Sequence, residues 1–194
     1  SAQVMAGRGE QAEKALREIL RERNSAEANH YLGRAMMLQG PSKLGDALRH
    51  LERAVELDGN RAEYHLFVGW AANDGGQPQK AETALKKAIE LDQGNGDAWW
   101  QKGSLLRKQG ATIDAIASLE KAIERRPSRY EAYADLALCF QEQAKWPEAE
   151  AALRKAIAGN PKNPRWHFML GKVLDKMGNK AGTIEPLEKA VALL

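Results

Sequence analysis

The sequence predicts an all-α solenoid, a stack of antiparallel helix hairpins, and three observations carry that reading. The first is a set of apolar registers with one interval. Ala54, Ala88, Ala122, Ala156 and Ala190 are each 34 residues apart, and so are Leu51, Leu85, Leu119, Leu153 and Leu187. Ala47, Ala81, Ala115 and Ala149 keep the same step, and Gly33, Gly69, Gly103, Ala137 and Gly171 follow at intervals of 36, 34, 34 and 34. The second is helical periodicity inside the interval: from Asp114 to Ile123 apolar residues recur on one face while charges take the other. The third is that nothing alternates with a period of two, so no sheet is expected. Four registers in phase describe units that bury their apolar faces only when stacked on their neighbours.

The elements follow in order. Half a unit, 1–25, precedes five units at 26–61, 62–95, 96–129, 130–163 and 164–194, eleven helices in all. In the half unit, residues 2–6 read as the tail of a first helix, since Gly7 precedes Ala12 as Gly110 precedes Ala115. Unit one carries two extra residues around Gly40-Pro41-Ser42, which lengthen its inner turn. Gly75-Gly76, Gly110 and Gly178 supply the left-handed residue that ends a first helix. Asp58-Gly59-Asn60, Gln93-Gly94-Asn95-Gly96, Arg126-Pro127-Ser128 and Asn160-Pro161-Lys162-Asn163-Pro164 close the units. In unit five Thr183 replaces the usual Ala, and Pro186 follows. A proline suits only a first helical turn, so the last helix is expected to begin near Thr183 as N-cap. Gly or Ala in each first helix and Ala in each second let the pair approach closely, with Leu filling the gap.

Leu32-Gly33, Val68-Gly69 and Leu170-Gly171 form a Leu-Gly type pair, Trp99 and Tyr133 are the aromatics that precede it, and Pro127 and Pro161 close their units, where Gly59 and Gln93 stand in others. This order of aromatic, Leu-Gly, Ala, Leu, Ala and Pro resembles the tetratricopeptide repeat family over essentially the whole chain. The resemblance implies a right-handed superhelix with a concave groove, and a scaffold for protein–protein interaction. Bacterial secretion, envelope and motility scaffolds are similar arrays.

Composition excludes several classes. The 29 Lys and Arg against 26 Asp and Glu leave a net charge of +3, with the signs interspersed, so the footprint of a nucleic-acid binder is missing. A single cysteine, Cys139, rules out an intrachain disulfide or a cysteine metal cluster, and its apolar run, Leu136 to Phe140, suits a buried small hydrophobe. No stretch approaches the ~20 apolar residues that span a bilayer, so no membrane insertion is expected. The start carries neither an initiator Met nor a signal peptide. The cytoplasm is the first expectation for compartment, and the periplasm follows if a signal segment was removed. His30, His50, His65 and His167 lack ligand spacing, and His65 and His167 occupy the slot of Trp99 and Tyr133, so they are read as packing residues. Gly75-Gly76 opens no phosphate cradle. The expectation is no enzyme, no cofactor and no metal.

Binding is read from each first helix. The stripe three residues before Gly33 and its equivalents, one after them and four after them faces the concave side in proteins resembling this family. It holds His30, Arg34 and Met37; Leu66, Trp70 and Asn73; Trp100, Ser104 and Arg107; Ala134, Leu138 and Gln141; Phe168, Lys172 and Asp175. The partner-binding set is therefore Arg34, Leu66, Trp70, Trp100, Ser104, Arg107, Leu138, Phe168 and Lys172. Large apolar residues in place of polar ones mark an interaction surface, with Arg34, Arg107 and Lys172 as a basic rim suited to an acidic partner. The Lys/Asn/Arg clamp by which chaperone-binding members resemble one another is absent. The expected partner is a protein or peptide. The alternative is a self-associating array, joined through its groove or through the apolar ends at Leu193 and Leu194.

Overall fold

The computed structural model describes residues 2–194, with side chains from Gly7 onward. Among the described residues there are eleven α-helices and no strand: α1 (Ala2–Glu22), α2 (Ala26–Met37), α3 (Leu44–Leu57), α4 (Ala62–Asp74), α5 (Pro78–Leu91), α6 (Gly96–Lys108), α7 (Thr112–Arg125), α8 (Tyr130–Glu142), α9 (Trp146–Gly159), α10 (Pro164–Lys176) and α11 (Lys180–Ala192). The chain divides into two compact units, residues 1–101 and 102–194. In the first, α2 pairs with α3 and α4 with α5, and α3 packs on α4. In the second, α8 pairs with α9 and α10 with α11, and α9 packs on α10.

The periodic residues are the hairpin cores. Ala47, Ala81, Ala115 and Ala149, the four matching Leu residues and Ala54, Ala88, Ala122 and Ala156 are almost fully buried. The reason for glycine in the first helices is steric. A Cβ on Gly33, Gly69, Gly103 or Gly171 would meet the nearest atom of Leu51, Leu85, Leu119 or Leu187 at 2.5 to 2.6 Å. Each Leu therefore sits over a bare stretch of backbone. In the fourth unit Ala137 and Leu153 share one core cluster, so that hairpin accommodates the extra carbon.

The turns follow the expected chemistry with one substitution. Gly76, Gly110 and Gly178 have φ of 69°, 79° and 77°, and the fourth unit places Ala144 in the same conformation at 56°. The two extra residues of the first unit form a 3₁₀ turn over Pro41–Lys43. The aromatic slot also has a structural task. The ring nitrogens of His65, Trp99 and His167 lie 2.9, 3.0 and 2.8 Å from the carbonyls of Gly59, Gln93 and Pro161, each six residues back. Each ring N–H ties the start of a first helix to the turn that precedes it.

Two expectations are corrected. α1 runs unbroken through Gly7, so residues 2–6 and 12–22 belong to one helix. Gly7 has open space where a Cβ would be, and no packing contact demands a turn there. The last helix begins at Lys180, capped by Asn179, whose side chain accepts the Gly182 N–H at 2.9 Å. Thr183 lies inside it and bonds the Asn179 carbonyl at 2.9 Å, while Pro186 is buried in the helix interior. The carbonyl that a proline ring crowds belongs to the residue four back, here Gly182, and a residue without a side chain yields most easily.

Candidate partner-binding face of the first helices

In the first unit the expected tryptophans belong to a run of rings. The Arg34 guanidinium lies 4.5 Å above the Phe67 ring and donates to Glu63 at 2.9 Å. Phe67 stacks on Trp70, with centroids 5.5 Å apart and planes at 20°, and Trp70 meets Trp100 at 5.4 Å and 82°. Both geometries are those preferred by aromatic quadrupoles. The Trp70 indole N–H donates to Asp74 at 3.0 Å. Phe67, Trp70 and Trp100 are all half-buried, so each offers surface while being held in place.

Sequence reasoning missed Phe67. It lies outside the stripe but three residues before Trp70, a spacing that places two side chains side by side on a helix. In the other direction, Leu66 is buried, at 4% exposure, and is a core residue of the first unit instead of a groove residue. His30, at the same position of α2, is 1% exposed, and Ala134 in α8 is 6%. The neighbouring first helix supplies the cover: His30 packs against Tyr64 and Phe67 of α4, and Ala134 lies in a cluster with Trp166 and Met169 of α10. Trp100 is large enough to emerge from this position.

Beneath the ring run, the His30 Nε2 lies 3.3 Å from the same Glu63 oxygen that receives Arg34, and its Nδ1 is buried without a partner. Burial pushes the His30 pKa down, against the upward pull of Glu63, and Arg34 adds to the downward shift.

In the second unit the expected residues are more dispersed. Ser104 and Leu138 are half-buried, and Leu138 packs against the core cluster of α8 to α10. Arg107 lies 3.9 Å from Asp135 and 3.6 Å from Glu142, with its Nε buried and unpartnered. Phe168 is 51% exposed, with the Lys172 amine 5.8 Å from its ring centroid. Two of the three rim cations, Arg34 and Arg107, are thus engaged by carboxylates of the chain itself.

Among the described residues, no three His, Cys, Asp or Glu side chains are placed to hold a metal ion. Burial pushes the Cys139 thiol up to about 12, far from the range of a reactive thiolate. No described helix is long and apolar enough to cross a membrane.

Family models for the tetratricopeptide repeat match residues 106–173 and, in a second form, residues 42–98 and 69–129. The chain belongs to the tetratricopeptide repeat family. Several solved structures share its fold. MamA is 25% identical, with 78% of this chain and 89% of MamA covered at a TM-score of 0.69. PilF of Pseudomonas aeruginosa is 20% identical, with 87% and 74% covered at a TM-score of 0.74. YrrB, described as a tetratricopeptide repeat protein with an unusual peptide-binding site, is 21% identical, with 92% of both chains covered at a TM-score of 0.63. No curated protein matches the chain by sequence. In tetratricopeptide terms, the aromatic run and the Arg34–Glu63 pair sit on the first helices of successive repeats.

Proposed function

We propose that this tetratricopeptide repeat protein is a non-catalytic scaffold that holds a peptide or helix of a partner protein against its first-helix face. Trp70 and Trp100 are its anchors, and Phe67 and Arg34 frame them. One observation carries this reading: three half-exposed aromatic rings stand in a row, Phe67 against Trp70 and Trp70 against Trp100. Indoles fixed by stacking lose little freedom on binding, and tryptophan is enriched among the residues that dominate interfaces. The likeness to YrrB, a tetratricopeptide repeat protein with a peptide-binding site, supports the same class of function.

The test is a pull-down with the wild-type chain and with Trp70→Ala plus Trp100→Ala. Capture by wild type and its loss in the variant support the anchors. Equal capture by both would remove them.

A second reading, self-association, rests on α11. Ile184 and Val191 are 59% and 71% exposed there. Val191 stands in the register of Val55 and Ile157, which pack against core clusters in their own repeats. Sedimentation over a wide concentration range tests it: a mass that rises with concentration in wild type and not in Val191→Glu supports the pairing of copies through this face.

A further inference from the structure

We infer that the cleft between α1, α2 and α3 is a second binding site, for a phosphomonoester. It shares no residue with the aromatic run, so it stands or falls independently of the scaffold reading. The cleft has a volume of about 460 Å³, and Arg17 of α1 and Arg49 and Arg53 of α3 line it, together with His50, Asn29 and Asp46. A crevice of this kind recurs along the fold. Near α4 and α5 it is lined by Val68, Thr83 and Ala84 together with Lys80, Lys86 and Lys87, and near α9 to α11 by Ile157, Leu170 and Pro186 together with Arg154 and Lys189. The recess and a cationic rim therefore recur with the repeat, and of these three crevices this one carries three guanidinium forks.

His50 gives the site a defined acceptor. The Asn29 amide nitrogen donates to Asn24 Oδ1 at 2.7 Å and to the Ser25 carbonyl at 3.0 Å. That orientation leaves Asn29 Oδ1 to accept, and the His50 Nδ1–H donates to it at 3.0 Å. The proton of the neutral ring is thus fixed on Nδ1, and Nε2 carries the lone pair. Burial first, then Arg17 and Arg49, hold the His50 pKa below its ordinary value, against the upward pull of Asp46 and Glu13.

The three arginines are engaged within their own helices, Arg17 with Glu13 at 2.7 Å, Arg53 with Glu56 at 2.8 Å and Arg49 with Asp46. Exposed pairs of one helical turn are weak, and a phosphate that offers several oxygens to forked guanidinium donors displaces them. A phosphomonoester also brings a proton that titrates near pH ~6. As the monoanion its O–H donates to the His50 Nε2, and as the dianion it accepts from the protonated ring; one shared proton serves both forms. Sulfate has the same shape and lacks that proton, so it requires protonated His50.

The experiment is titration of the intact chain with inorganic phosphate and, at matched ionic strength, with sulfate, read by calorimetry and by the His50 ring resonances. Saturable phosphate binding that moves the His50 signals is expected. Arg17→Ala plus Arg49→Ala should weaken it by about tenfold or more, since two charge-assisted donors are lost. These side chains are 53% and 77% exposed, so the double variant should retain the wild-type melting curve, which is checked in parallel. Sulfate affinity should fall steeply between pH 6 and pH 7.5, and phosphate affinity should fall far less. A phosphoserine peptide and vesicles containing phosphatidic acid then show whether the group arrives on a protein or on a lipid. The inference is overturned if phosphate does not saturate a site, if the double variant binds as wild type does, or if phosphate and sulfate share one pH profile.

Discussion

At the residue scale, the chain shows which positions bear strain and which bear proton linkage. Ala144 occupies a left-handed conformation that Gly76, Gly110 and Gly178 hold in other repeats. That conformation costs an L-residue about 1–2 kcal/mol, partly offset by the greater unfolded-state freedom of glycine. Ala144→Gly should therefore stabilise the chain by up to about 1 kcal/mol in denaturant unfolding; a lower midpoint would contradict this account of the turn. His30 and His50 both have depressed pKa values in the fold, from burial first and from neighbouring arginines in addition. The unfolded chain then binds more protons below its ordinary histidine pKa of about 6.5. Stability should be level above that pH and should fall as pH drops below it. Thermal melting at stepped pH in wild type and His30→Gln measures it, and the variant should show the shallower loss. An identical slope in both would mean that His30 contributes nothing to it.

At the element scale, the hairpin was legible because its demands repeat. In four of the five hairpins a Cβ under the leucine would lie about 2.5 Å from it, so glycine returns there in step with the repeat and periodicity announces it, Ala137 standing in the remaining one. Features that occur once did not announce themselves. The tolerance of Pro186 depends on Gly182 and on the Asn179 cap, and the unbroken α1 depends on the lack of any partner that would require a turn at Gly7. The task of the aromatic slot was also hidden, since His and Trp share a ring N–H that hydrophobicity does not report. Removing it from His167, as in His167→Phe, should cost about 1 kcal/mol through the lost bond to the Pro161 carbonyl. A melting temperature equal to that of wild type would show that the slot needs only an aromatic ring.

At the scale of the whole molecule, the family was legible throughout, and the candidate site only in part. The three stripe positions fall within an arc of about 60° on a helical wheel, which made Leu66 look equivalent to Trp70. What separates them is burial, 4% exposure at Leu66 against a half-buried Trp70, and a wheel drawn on one helix does not contain the neighbours that decide it. Phe67 was missed for the converse reason: it lies about 60° beyond the arc, and its stacking on Trp70 draws it into the surface. The central claim is that this surface anchors a partner. Isothermal titration of the captured partner against wild type and the Trp70→Ala plus Trp100→Ala variant, with melting curves for both, tests it most directly. The account predicts affinity weaker by about a hundredfold or more, from two anchors of ~2 kcal/mol each, with little change in melting. A steep fall in melting with unchanged affinity would contradict it, because the tryptophans would then be packing residues alone.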